Sequence, residues 1–294
     1  MNYKLYYPAK LFNKLRVTAR VVILSLSKNM LSLSKHWSGK LFQRFPNSFL
    51  QTNKKMTSNI FEASPKASAR MAGFCYLLGS LTSVYGQMIV FGMLIKPGNA
   101  TETSANILSH ESLFRLGFVS SFVAVPFHIL WAVLFYHLFK KLSRTVSLFA
   151  GFIMLMACVM WTLSSFFYIS PLLILQGMNY FDAFTHEQLQ ALSLMVIKLN
   201  VQSYDLGLVF FGLWCIVIGY LIFKSTFIPG IIGILYMIAG LGYLTLLWQP
   251  LVHYIYPYNL VLAGPGETSL LLWLLIKGVK DGKWKLTLGT HQNE

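Results

Sequence analysis

Residues 200–223, NVQSYDLGLVFFGLWCIVIGYLIF, hold a single charged side chain, Asp205. Wound as an α-helix at 1.5 Å per residue, a stretch of this length reaches about 36 Å, more than the roughly 30 Å hydrocarbon core of a bilayer. Working outward, comparable apolar stretches recur near 71–95, 114–138, 146–174, 228–248 and 258–277. The pattern predicts an all-α, polytopic membrane bundle of about six transmembrane helices.

The whole composition agrees. With 55% hydrophobic residues, 11% charged residues and a mean hydropathy of +0.58, the chain is too apolar for an ordinary water-soluble domain. Lys66 and Arg70 precede the first stretch, Lys140, Lys141 and Arg144 follow the second, Lys224 follows the fourth, and Lys277, Lys280, Lys283 and Lys285 follow the sixth. The alternate connections carry little beyond Lys96. Lys and Arg stay on the cytoplasmic side, so both termini are expected in the cytoplasm and the protein in the cell inner (plasma) membrane as a multi-pass chain.

The net charge of +15 is not a nucleic-acid signature. Residues 1–55 hold eleven Lys/Arg and no acid, while the rest of the chain holds thirteen bases against nine acids. Within that first segment the near repeat Leu24-Ser25-Leu26-Ser27-Lys28 and Leu31-Ser32-Leu33-Ser34-Lys35 marks a composition unlike that of the residues after Met56. Residues 1–55 read as a non-native upstream extension, or else as a disordered basic arm lying on an anionic membrane surface. A short cytoplasmic lead, 56–69, then opens the transmembrane domain, 70–285, which ends in a cytoplasmic tail, 286–294.

Polar groups inside the spans are where chemistry is expected, because an ionisable group in lipid is costly and usually faces the bundle interior. Glu267 stands out. The apolar run after it, Ser269 to Ile276, is too short to cross a membrane, so the span must recruit residues before Glu267, which places it near mid-depth. Gly264, Pro265 and Gly266 are expected to break the helix just before it, as in the broken helices of transporter sites. The bland reading is an acid held by a structural hydrogen bond in a helix's first turn.

A second candidate group is Lys198, Gln202 and Asp205, spaced i, i+4 and i+7 on one helical face that Gly212 and Gly219 extend at seven-residue steps. Small residues let helices approach closely, so this face is expected to meet neighbouring helices. Counting depth from the inner ends puts Arg115 close to Asp205 at the outer boundary, which suggests an ion pair with Lys198 as competitor. His128 is the one histidine at clear mid-depth, with His137 near the inner end of the same helix and His253 in an outer loop; no paired histidines suggest haem. Cys75, Cys158 and Cys215 have neither disulfide nor metal spacing and read as packing residues. Neither a cofactor nor a metal is expected.

The connections have their own signals. Thr185-His186-Glu187-Gln188 has the form of a capping box, so a helix should start near His186. Asn99-Ala100-Thr101 is formally a glycosylation sequon.

Several ordered motifs carry a resemblance. They are Arg70-Met71-Ala72-Gly73, Leu113-Phe114-Arg115-Leu116-Gly117, Phe211-Gly212-Leu213-Trp214 through Gly219-Tyr220-Leu221 to Ile228-Pro229, Ala239-Gly240-Leu241-Gly242-Tyr243-Leu244, and Glu267 with Leu272-Trp273-Leu274-Leu275-Ile276-Lys277-Gly278-Val279. Over roughly 66–285 the chain resembles the mainly bacterial membrane family known as domain of unknown function 4386. The resemblance implies multi-pass architecture and no particular reaction. Two positions depart from the family pattern: Trp214 stands where members often have His, and Gly230 follows Pro229 where a basic residue is common. Any role of that His is therefore absent from this chain.

Three function classes stay open on the sequence. A small-solute carrier or channel would use Glu267, with the Lys198, Gln202 and Asp205 face as an outer vestibule. A non-catalytic scaffold or sensor bundle would need none of these groups for chemistry. A membrane enzyme acting on a lipid would use Glu267 or Asp205 as general acid or base. The bilayer is the one partner the sequence specifies; a solute, a lipid substrate and the oligomeric state are not named by it.

Overall fold

The computed structural model describes residues 64–177, 183–255, 258–279 and Trp284. The upstream segment 1–55, most of the lead 56–69, the lysines at 280, 283 and 285 and the tail 286–294 lie outside the described residues. Among those described, the ordered structure is entirely helical.

The first span, α1 (Pro65–Leu94), starts at Ser64, whose hydroxyl accepts from the Ala67 N–H, and Pro65 fits the first turn because that position needs no donor. Residues Tyr85–Val90 of α1 widen into a π-turn. A short helix α2 (Ala100–Ser109) follows, then α3 (Glu111–Phe139), α4 (Arg144–Leu175), α5 (His186–Lys224) and α6 (Gly230–Leu244, with a tighter turn to Leu247). The chain then makes two short helices, α7 (Gln249–Ile255) and α8 (Tyr258–Val261), and ends in α9 (Ala263–Ile276).

Five of these helices, α1, α3, α4, α5 and α6 with its last turn, are long and apolar enough to cross a membrane. The sixth predicted stretch, 258–277, is divided between α8 and the fourteen-residue α9. The break falls at Leu262, a few residues earlier than Gly264-Pro265-Gly266 suggests. Pro265 sits inside the first turn of α9, where its missing N–H costs no intrahelical bond, so Glu267 lies in the second turn rather than the first.

The long helices and α9 close a ring of neighbours in chain order: α1 packs on α3, α3 on α4, α4 on α5, α5 on α6, α6 on α9, and α9 back on α1. Short connections between successive apolar helices make antiparallel neighbours. The ring therefore gathers Lys66, Arg70, Lys140, Lys141, Arg144, Lys224 and Lys277 at one end. There the guanidinium of Arg70 donates to the Ile276 carbonyl at 3.0 Å, Lys141 lies over the Trp284 ring, and the Trp284 indole donates to the Leu138 carbonyl.

Aromatic side chains fill the centre of the ring. Tyr76 of α1 stacks on Trp131 of α3 with ring centres 4.1 Å apart, and Trp131 lies 4.3 Å from Trp214 of α5. Trp131 and Trp214 are fully buried. Outside, Phe74, Phe149, Phe152, Phe166 and Leu241 are among many large apolar side chains left exposed. A belt of that kind faces acyl chains, since no monomeric soluble surface carries so much apolar area.

Glycines set the closest helix contacts. On the α5–α6 seam, a Cβ on Gly219 would come within 2.6 Å of the Gly233 carbonyl, and one on Gly240 within 2.5 Å of the Gly212 carbonyl. These two backbones touch, as small residues permit in lipid. Gly212 and Gly219 therefore do face a neighbouring helix, whereas Lys198 and Gln202 are exposed and Asp205 is partly so. α6 meets this side of α5 at Gly219 with Gly233 and at Gly212 with Gly240, and Lys198, Gln202 and Asp205 lie further along α5 than those contacts. The buried face of the outer half of α5 runs instead through Ser193, Ile197, Asn200 and Ser203.

The sequence signals in the connections resolve locally. Thr185 and Gln188 form the reciprocal capping box at the start of α5. Asn99 caps α2, accepting from the Glu102 N–H at 3.0 Å and donating to the Glu102 carboxylate. All three cysteines are buried and free.

Candidate intramembrane polar site

Glu267 projects from α9 into the bundle and is partly buried. Ile276, whose carbonyl takes Arg70, lies nine residues further on. At 1.5 Å per residue that is about 13 Å, close to half of the roughly 30 Å core.

Two tyrosines hold the carboxylate. The Tyr76 hydroxyl on α1 donates to Oε2 at 2.5 Å, and the Tyr243 hydroxyl on α6 donates to Oε1. Each bond comes from a different helix and takes a different oxygen of the same carboxyl group. Both neighbours of α9 in the ring thus grip the same side chain. The backbones are close here as well: a Cβ on Gly266 would come within 2.5 Å of the Leu235 carbonyl of α6. Among the described residues no Lys, Arg or His forms an ion pair with Glu267; the ion pair present is elsewhere.

That pair corrects one expectation. Arg115 binds Glu111, one turn earlier on α3, with Nε to Oε1 2.7 Å apart, and both side chains are well exposed. It does not pair with Asp205. An i, i+4 partner on the same helix is always within reach, whereas Asp205 requires two helices to present matching faces.

His128 is buried within α3, with its Nδ1 2.8 Å from the Ala124 carbonyl and its ring packed 4.9 Å from that of Trp161 on α4. It lines a small cavity with Ser83 and Gln87 of α1, Ser121 of α3, Ser165 of α4 and Tyr204 of α5. Ser83 and Tyr204 share a hydrogen bond at 3.1 Å. Further toward the outer end, Asn200 Nδ2 donates to both the carbonyl and the hydroxyl of Ser164 at 2.8 Å, and Ser164 donates back to the Asn200 carbonyl. This clamp ties α4 to α5. The π-turn of α1 lies beside it: the Gly86 carbonyl accepts from Phe91 in the five-residue π spacing and also from the Tyr168 hydroxyl at 3.2 Å.

Among the described residues the interior thus holds the Glu267 cage between α1, α6 and α9, the His128 cavity between α1, α3, α4 and α5, and the Asn200–Ser164 clamp between α4 and α5. Of the predicted residues only Glu267 and His128 belong to them. Lys198, Gln202, Asp205 and Arg115 lie toward the periphery. Tyr76, Tyr243, Tyr204, Ser83 and Ser164 escape the sequence reading, although a tyrosine amid an apolar span is a signal in itself, since its buried hydroxyl needs a partner. Among the described residues no three His, Cys, Asp or Glu side chains gather in a way that could hold a metal ion.

An all-helical ring of apolar helices with a few polar groups inside defines a membrane protein. Residues 71–278 match the family described as Domain of unknown function (DUF4386), and the chain belongs to that family. An uncharacterized protein of Archaeoglobus fulgidus is 35% identical over 82 residues, which is 26% of this chain and 46% of that protein. The chain thus spans about half the length of the curated relative it matches. No solved structure matches it.

Proposed function

We propose that this chain is a multi-pass protein of the plasma membrane, with both termini cytoplasmic, that works as a small-solute carrier or channel with Glu267 as its intramembrane carboxylate. The observation that carries the reading is the Glu267 cage: one acid at mid-depth, held by hydroxyls from the two helices that flank α9. A carboxylate whose partners come from different helices feels any relative movement of those helices. Such a group couples a bound proton or solute to rearrangement of the bundle, as intramembrane acids do in carriers. The gathering of Lys and Arg at one end of the ring supports the orientation.

A scaffold or sensor bundle is the second reading, and it has its own support. Both carboxylate oxygens are already occupied, and the polar cavity beside His128 measures only about 10 Å³. The experiment that separates the two is ion and solute flux in proteoliposomes under an imposed pH gradient, comparing the parent with Glu267→Gln. Glutamine keeps the shape and loses the titrating proton. The carrier reading expects a pH-driven flux in the parent that the variant loses while remaining folded. Absence of flux in the parent leaves the bundle as a scaffold, and equal pH-driven flux in both removes Glu267 from the carrier reading.

A further inference from the structure

The cavity beside His128 holds unmatched hydrogen-bonding capacity. His128 Nδ1 lies 2.8 Å from the Ala124 carbonyl. A carbonyl only accepts, so Nδ1 carries the ring proton and Nε2 keeps a lone pair. No described residue donates to that nitrogen, although His128 is only 6% exposed. Across the cavity, Ser83 and Tyr204 share one hydrogen bond at 3.1 Å. Two hydroxyls bring two hydrogens, and one bond between them uses one. The residues that carry this spare donor and spare acceptor line the same space, and leaving either group unpaired inside the bundle is costly.

The space has the volume for a single small molecule. At about 10 Å³ it is at the lower limit for one water, and its walls carry Gln87, Ser121 and Ser165 as further polar groups. An apolar void of this size stays dry, whereas one with two to four polar partners is filled. Gln87 enters the wall from the π-turn of α1, a feature that recurs at functional sites.

We infer that this cavity is a binding site for one water molecule, which donates to Nε2 of His128 and accepts from the Ser83 and Tyr204 hydroxyl pair. The water joins α1, α3 and α5 inside the bundle and holds His128 in its Nδ1–H tautomer. The site needs nothing from Glu267 and stands apart from the carrier reading.

An experimental map of the full chain in lipid nanodiscs, at a resolution that shows ordered water, tests it. A peak should lie within about 2.6–3.2 Å of both His128 Nε2 and the Tyr204 hydroxyl. An empty cavity overturns the site. Ala124 lines the same space, so Ala124→Val should displace the water. The Nε2 nitrogen resonance, assigned by its loss in His128→Gln, should then shift from its parent position toward that of a free acceptor. An unchanged resonance in Ala124→Val also overturns the site, and if that variant fails to assemble the parent map decides alone.

Discussion

Tyr76 and Glu267 are 191 positions apart in the chain and 2.5 Å apart in space. Their bond closes the ring of helices, because it joins the first span to the last helix. Tyr243 completes the grip from α6. Removing one hydroxyl leaves a carboxyl oxygen without its donor, a loss of about 1–3 kcal/mol for a buried polar group. Tyr76→Phe should therefore destabilise the protein by that order in a reversible unfolding assay, and Tyr243→Phe likewise. In a double-mutant cycle, Tyr76→Phe should cost much less once Glu267 is glutamine. Equal cost in both backgrounds would show that the tyrosine acts through packing on Trp131 alone.

Arg115 and Asp205 should behave as strangers. Arg115 is engaged by Glu111, and the exposure of both partners makes that pair weak and salt-sensitive. The effects of Arg115→Gln and Asp205→Asn on stability should add when combined. A coupling between them, measured by the same unfolding cycle, would restore the interhelical ion pair that the sequence suggests.

The helices are legible in the sequence because length and apolarity suffice to specify a span in lipid, where every backbone polar group must be satisfied internally. All six predicted stretches overlap observed helices, and the capping box at Thr185 marks the start of α5 within a residue. Glu267 is legible as an interior acid for the same reason. Its partners are not, since Tyr76 and Tyr243 reach it only through the rotational setting of α1 and α6 about their axes, which no single helix encodes. The face of Lys198, Gln202 and Asp205 misleads because a shared side of one helix does not tell how far along it the neighbouring helix makes contact, and α6 touches α5 most closely at Gly212 and Gly219. His128 is visible as a mid-depth histidine, but its cavity depends on side chains from four helices.

The proposed orientation rests on the basic end of the ring. Reporter fusions after Arg144, Lys224 and Lys285 should all be cytoplasmic, and a fusion after Lys96 should be exported. A single exported reporter among the first three would overturn the arrangement, since adjacent helices of the ring alternate in direction.

Residues 1–55 lie before the family match, which starts at residue 71, and their basic, acid-free composition sets them apart from the matched residues. Deleting them should leave the thermal midpoint and yield of the membrane domain unchanged. A fall in either would make the segment a working part of the protein.

The glycine seam allows the most direct test of the packing, because it has an internal control. A methyl group on Gly240 would meet the Gly212 carbonyl at 2.5 Å and Ile216 at 2.7 Å, and one on Gly219 would meet the Gly233 carbonyl at 2.6 Å. In each case the nearest obstacle is backbone, so α5 and α6 must separate. Overpacking of this kind costs about 1–3 kcal/mol. Gly151, in α4, has nothing within 4 Å of its missing Cβ. There alanine only improves helix propensity, by up to about 1 kcal/mol. Gly240→Ala and Gly219→Ala should thus lower stability in nanodiscs while Gly151→Ala leaves it equal or raises it. The separation of α5 from α6 also bears on the Glu267 cage, since Tyr243 stands three residues beyond Gly240 on α6. Gly240→Ala should weaken the coupling between Tyr243 and Glu267 in a double-mutant cycle, and Gly219→Ala, nearer the basic end, should weaken it less. Equal effects of all three alanines on stability would mean that the two backbones are not in contact.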